Sequence, residues 1–229
     1  MKTQKLIVLD IDSTPYTDKE TLIAAQRCGH TLVLASGRPT ACLRGIAEEL
    51  ELDRHQCLLL GYNGGLVTDC MSSPPIYSKT MPLSMARALV KHLEGFPAVL
   101  MVDDGQALYT DCPDAPIVAY ESSANHLDVK VVPNISAAIT FSPVRILIFM
   151  PVQKMMKYRA DMESPFTGEL SFSLSAPFCL EAASLSASRA DSLEKVRALL
   201  GIPEQDVVIL SGEQERCLAP VLAQLDLLS

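Results

Sequence analysis

The stretch "KLIVLDIDST", Lys5 to Thr14, decides the reading of this chain. Leu6–Leu9 is continuously apolar rather than alternating, the pattern of a parallel strand buried on both faces. It runs straight into Asp10 and Asp12, followed by Ser13 and Thr14. Burying a charge is costly unless it is paired or bound to a cation. The strand end therefore reaches solvent, or its carboxylates meet a metal or a reacting group. Two apart on an extended end, both side chains lie on one side. Held close they repel, and one stays protonated unless a cation sits between them. Oxygen ligands of this kind suit a hard cation such as Mg²⁺ and phosphate substrates. One Asp can then serve as nucleophile and the other as general acid and base. A solvated acidic loop is the alternative reading of the same spacing.

Outward from this stretch, Asp18–Cys28 reads as a short helix, with Thr17 as N-cap and Gly29 as its stop. "TLVLAS" (Thr31–Ser36) is a second buried strand, "GRP" breaks it, and Thr40–Leu50 resumes as a helix. "CLLLGYNGG" (Cys57–Gly65) is a third strand entering a Gly-rich turn. This βαβαβ opening implies a doubly wound parallel sheet of the α/β, Rossmann-like class, with right-handed crossovers. Such sheets work beyond the carboxyl ends of their strands. Asp10, Asp12, Ser36 and Asn63 all fall at such ends. Ser36-Gly37-Arg38 adds a hydroxyl and free backbone N–H groups at a helix start, a ready phosphate cradle. An ordinary turn is its alternative reading.

The middle of the chain changes character. "SSPP" (Ser72–Pro75) and Pro82 punctuate it, and short strand-like and helical segments follow as far as "LSFSLS". From Ser188 the α/β pattern returns, with a helix to Leu200, Gly201 as its stop and the buried strand "DVVILSG" (Asp206–Gly212). The expected organisation is a core domain of residues 1–81 and 184–229, with an inserted α+β domain at 82–183.

The totals limit the function classes. The 229 residues are 48% hydrophobic but only 5% aromatic, with no Trp. The core must therefore rest on aliphatic side chains and Met. With 19 Lys and Arg against 27 Asp and Glu, the formal charge is −8, which argues against nucleic acid or an anionic membrane as partner. The seven cysteines are scattered without a CxxC, so reduced thiols and a cytoplasmic location are expected. The apolar runs are too short to span a bilayer. Neither GxGxxG nor GxxxxGK follows the first strand, which sets nicotinamide and ATP sites aside.

Taken together and in order, "LDIDST", "LASGRPT" and "GYNGG" resemble the haloacid dehalogenase (HAD) superfamily. The NGG turn and the large insert are similar to its Cof-like, type IIB phosphatase branch. The resemblance implies a HAD core with a cap domain inserted between the chain ends. It implies that Asp10 is the nucleophile and that Asp12 protonates the leaving alkoxide and later activates water. Ser36 matches the hydroxyl that holds the transferring phosphoryl group. Thr14, Gly37, Arg38 and Asn63 match positions beside phosphate or substrate. Mg²⁺ would be held by the Asp10 carboxylate and the Asp12 carbonyl. The implied substrate is a small phosphorylated metabolite, a sugar or nucleotide phosphate.

The chain departs from the pattern towards its end. Counting back from "LLGI" puts Arg189 where relatives have a Lys that neutralises the phosphoryl group. Arg keeps the charge, but its planar fork differs from a point-like ammonium. In "VVILSGEQERC" the direct register puts Gly212 and Arg216 where the family supplies acidic metal ligands. Glu213 or Glu215 could substitute only if the loop shifts, and Glu213 is the metal ligand expected in their stead. The segment after Thr14 is also shorter than in relatives, and an edge element of the sheet is missing from the pattern, which makes homo-oligomerisation an expectation. These departures keep a second reading open, a non-catalytic relative that binds a phosphorylated ligand or partner without turning it over.

Overall fold

The structure, a computed structural model, describes residues 4–13, 18–55, 58–70, 74–185 and 188–212. Strand β1 (Leu6–Asp10) is followed by α1 (Lys19–Arg27), β2 (Thr31–Ala35), α2 (Arg44–Glu49), β3 (Leu58–Gly61), β4 (Leu66–Asp69) and β5 (Tyr77–Ser78). Then come α3 (Leu83–Leu93), β6 (Val99–Asp103), β7 (Ala107–Thr110), α4 (Pro116–Asn125), β8 (Asp128–Val131) and α5 (Ile135–Ala138). β9 (Arg145–Phe149), α6 (Val152–Glu163), β10 (Leu170–Ala176), β11 (Cys179–Ser184), α7 (Arg189–Leu200) and β12 (Val207–Leu210) complete the order. The chain forms two compact units, one from the residues up to Ser78 with those from Ser188 on, the other Lys79–Ala187.

The first unit is built on a sheet of order β12-β1-β2-β3-β4-β5. The pairs from β12 to β3 are parallel, while β4 and β5 continue it antiparallel. Leu6–Leu9 is buried on both faces, and alternation decides which helix each residue meets. Ile7 and Leu9 pack with Leu22 and Ala25 of α1 and Ala47 of α2. Leu6 and Val8 pack with Leu193 and Val196 of α7. Each such Leu, Ile or Val side chain contributes about 1.5–3 kcal/mol by leaving water. The helices thus clamp the sheet from both sides and leave its carboxyl edge to carry polar groups.

Local details differ from the sequence reading for physical reasons. The cap of α1 is Asp18, whose carboxylate accepts the Thr21 N–H; Thr17 lies outside the described residues. The helix expected over Thr40–Leu50 begins as a 3-10 turn, Thr40–Leu43, before α2. β4, β5 and β11 carry no strong period-2 signal and exist through ladder pairing with β3, β4 and β9. Cys28, Cys112 and Cys179 are free thiols, but Cys70 is disulfide-bonded, against the expectation of reduced cysteines throughout.

The second unit has its own sheet, β10-β11-β9-β6-β7-β8. It is antiparallel except for the parallel β7–β8 pair. One face buries Leu100, Val102, Ile146 and Ile148 against α3 and α6; the other buries Met101, Leu147 and Phe149 with Val118 of α4. Met81, fully buried, belongs to this core, and its N–H donates to the Pro143 carbonyl. Among the described residues, no helix is long and apolar enough to cross a membrane.

Candidate active site

The site grows from the ends of β1, β2 and β3. Asp10 lies across from Ala35 in the parallel ladder, so Ser36 is the first residue past β2 beside it. Three backbone bonds stitch these ends together. The Ile11 N–H donates to the Ala35 carbonyl at 2.9 Å, Ser36 N–H to the Leu60 carbonyl at 2.9 Å, and Asn63 N–H to the Ser36 carbonyl at 3.1 Å. Strand pairing, rather than flexible loop contacts, therefore sets where these side chains start.

The glycines allow the close approach. Gly64 has φ +95°, and a Cβ there would stand 2.4 Å from Ser192 Oγ, 2.5 Å from the Ser188 carbonyl oxygen and 2.7 Å from Arg189 Cα. Only a residue without a side chain lets the turn after β3 touch the start of α7. Asn63, at φ 53°, is held in the left-handed region beside it.

At the start of α7, Ser188 is the N-cap. Its Oγ accepts the Asp191 N–H at 3.0 Å and donates to Asp191 Oδ2 at 2.7 Å. The S-x-x-D spacing is the signal that would have found it in the sequence. This cap fixes Arg189 at the first helical position. We expect Ser188→Ala to lower stability by about 1 kcal/mol, readable by thermal unfolding.

Two ion-pair clusters result. Arg189 Nη1 donates to Asp10 Oδ2 at 2.7 Å, and its Nη2 donates to Asn63 Oδ1 at 3.3 Å. The Asp10 side chain is only 13% exposed and that of Arg189 31%, so solvent weakens this pair less than a surface one. Asp10 Oδ1 accepts the Asp12 N–H at 3.2 Å. The Asp12 carboxylate turns the other way. Its Oδ1 accepts from Ser36 Oγ at 2.8 Å, its Oδ2 accepts the Gly37 N–H at 2.6 Å, and Arg38 Nε stands 3.8 Å from Oδ1. Ser36 is fully buried, and its Oγ accepts the Arg38 N–H at 3.0 Å.

The structure thus brings together Asp10, Asp12, Ser36, Gly37, Arg38, Asn63 and Arg189. Thr14 and Glu213 lie outside the described residues. The free thiols offer no rival nucleophile in the second unit's core, where burial pushes Cys179 up to about 11.

Paired carboxylates, cations and backbone donors at the carboxyl ends of parallel strands can hold and polarise an anionic group. Comparisons with known proteins give the family. Residues 7–213 match the family model described as haloacid dehalogenase-like hydrolase, and the chain belongs to that family. It is 34% identical over 110 residues to "Putative phosphatase YkrA" of Bacillus subtilis (strain 168), a match spanning 44% of this chain and 40% of that protein. A haloacid dehalogenase-like hydrolase from Bacteroides thetaiotaomicron shares the fold with a TM-score of 0.84 and 26% identity, over 90% of this chain and 81% of that one. The HAD subclass IIB sugar phosphatase BT4131 superposes with a TM-score of 0.69 at 15% identity, over 90% and 80% of the two chains. Its fold is thus shared with a subclass IIB member of that family.

A divalent cation finds a partial set of donors here. Asp10 Oδ1 carries only the long bond from the Asp12 N–H, and so retains lone-pair capacity for a hard cation. Among the described residues no three His, Cys, Asp or Glu side chains form a metal-holding group. Leu210 pairs with Leu9, so Gly212 follows where β1 delivers its aspartates, and it offers no side chain. One carboxylate with carbonyl, water and phosphate oxygens is nevertheless within the usual habits of Mg²⁺.

Proposed function

We propose that this protein is a Mg²⁺-dependent phosphatase that hydrolyses a small phosphorylated metabolite, a sugar or nucleotide phosphate, through an aspartyl-phosphate on Asp10. The observation that supports it best is Asp10, at the end of β1, paired with Arg189 at the start of α7 beside the Ser36 and Gly37 donors that follow β2.

In this reading an Asp10 carboxylate oxygen attacks phosphorus, and the bond from phosphorus to the ester oxygen breaks. The departing alkoxide takes a proton from the Asp12 carboxyl. Water then attacks the aspartyl-phosphate and gives its proton to Asp12, the bond from phosphorus to Asp10 breaks, and inorganic phosphate leaves. Ser36 Oγ–H and Gly37 N–H hold the phosphoryl oxygens, and Arg189 offsets the charge that collects beside Asp10. The Asp10 carboxylate and the Asp12 carbonyl would hold Mg²⁺, which supplies positive charge to the phosphate oxygens. The second unit, Lys79–Ala187, takes the role of cap and selects the substrate.

Gly212 favours a second reading. With no side chain beside the aspartates at the end of β12, a family member could retain phosphate binding and lose turnover. Phosphate release from an aryl phosphate and from panels of sugar and nucleotide phosphates, with Mg²⁺ and with EDTA, separates the two. We expect release that chelation reduces to background. A folded protein that binds phosphate esters in EDTA and releases nothing from any of them supports the second reading.

A further inference from the structure

The Asp12 carboxylate lies where an anionic substrate group would go. It takes one hydrogen bond on each oxygen, 2.8 Å from Ser36 Oγ and 2.6 Å from the Gly37 nitrogen. The Arg38 guanidinium is 3.8 Å from the same Oδ1. Two oxygens of one anion meeting a hydroxyl, a backbone N–H and a nearby cation is the way a phosphoryl group is held. The Ser36 hydroxyl accepts the Arg38 N–H, so its own proton is committed to Asp12. Ser36 is fully buried, so water does not offer that hydroxyl an alternative acceptor. The Asp12 side chain itself is 36% exposed, which leaves a path for exchange with solvent.

We propose that Asp12 is a resident plug of the phosphoryl cradle: phosphate binds only by displacing its carboxylate from Ser36 and Gly37. The inference rests on the phosphoryl-site reading of Ser36 and Gly37 given above. Two anions cannot share the same two donors, since each proton is used once and the charges repel. The measured phosphate affinity is then the intrinsic affinity reduced by the fraction of molecules with an open cradle. Displacement also does chemical work, because it releases the Asp12 carboxyl group from Ser36 and Gly37 and leaves it free to meet the ester oxygen. Asp12 is thereby an occupant of the resting site and the proton carrier of the working one.

The test is calorimetric titration of inorganic phosphate, at one fixed Mg²⁺ concentration, into the wild type, Asp12→Asn and Asp12→Ala. Asn retains an acceptor oxygen for Ser36 or Gly37 but loses the charge, whereas Ala loses both. The plug predicts phosphate binding about tenfold tighter in Asp12→Ala, the equivalent of one charged hydrogen bond no longer competed for, with Asp12→Asn between Ala and wild type. Simple charge repulsion predicts equal gains for the two variants. Equal gains, or no gain, with phosphate binding to the wild type overturn the plug and leave the phosphoryl site standing. Failure of phosphate to bind to any of the three overturns the site reading and the plug together. The amide resonance of Gly37 gives a readout without ligand, and it must move in Asp12→Ala if the contact exists in solution.

Discussion

Gly64→Ala is expected to destabilise the first unit by about 2–5 kcal/mol and to take activity with it. Two effects add. At φ +95° an L-residue pays a left-handed penalty of about 1–2 kcal/mol. The new Cβ would also stand under 3 Å from the Ser188 carbonyl oxygen and from Arg189 Cα. Those are backbone atoms at the start of a helix, so they cannot rotate aside as a side-chain tip would. Overpacking of this kind adds about 1–3 kcal/mol. Gly29→Ala is the control. Its φ is +92°, and nothing lies within 4 Å of the added Cβ. It should therefore show the strain alone, about 1–2 kcal/mol. Denaturant unfolding of both variants reads the difference. Equal losses would mean that the turn after β3 and the start of α7 are not in the contact described.

Arg189→Met is the second large effect. It keeps length and apolar bulk and removes the charge that Asp10 Oδ2 meets at 2.7 Å. Loss of one donor aimed at developing charge commonly reduces kcat by about 10²–10³, and we expect that range. Stability should fall as well, because removing one partner leaves the largely buried Asp10 carboxylate unpaired, so rates are compared on protein whose unfolding transition shows it folded. Arg189→Lys restores one cation near Asp10, although a single ammonium does not reproduce the planar fork that also reaches Asn63. We expect the Lys variant to fall within about tenfold of wild type, since charge is what the site needs most. Full activity in Arg189→Met would reduce Arg189 to a helix-start residue facing water. Rates under saturating and limiting substrate separate a loss in kcat from a loss in binding.

Much of this was legible in the chain itself, and the reasons are local. Leu6–Leu9, Thr31–Ala35 and Leu58–Gly61 are apolar runs bounded by polar or glycine residues, so both the strands and their working ends could be placed. Asp10, Asp12, Ser36 and Asn63 followed from strand ends alone. Arg189 was harder, because it stands 179 residues from its partner Asp10 and only its spacing from "LLGI" pointed to it. The role of Ser188 was missed although its capping spacing was present. β4 and β11 could not be read, since Leu66–Asp69 and Cys179–Ser184 become strands through ladder partners rather than through their own pattern. The direction of the Asp12 side chain was beyond sequence, because two carboxylates with one spacing can turn to different donors.

The most direct test of the phosphatase account is phosphate release by the wild type and by Asp10→Asn, each with its best ester substrate and Mg²⁺. Asn keeps the shape at the end of β1 and cannot form the aspartyl-phosphate. The account predicts a fall in kcat on the order of 10⁴ or more, in a variant whose unfolding transition shows a folded protein. Phosphate release by folded Asp10→Asn at a rate near wild type would contradict it, since the nucleophile would then lie elsewhere.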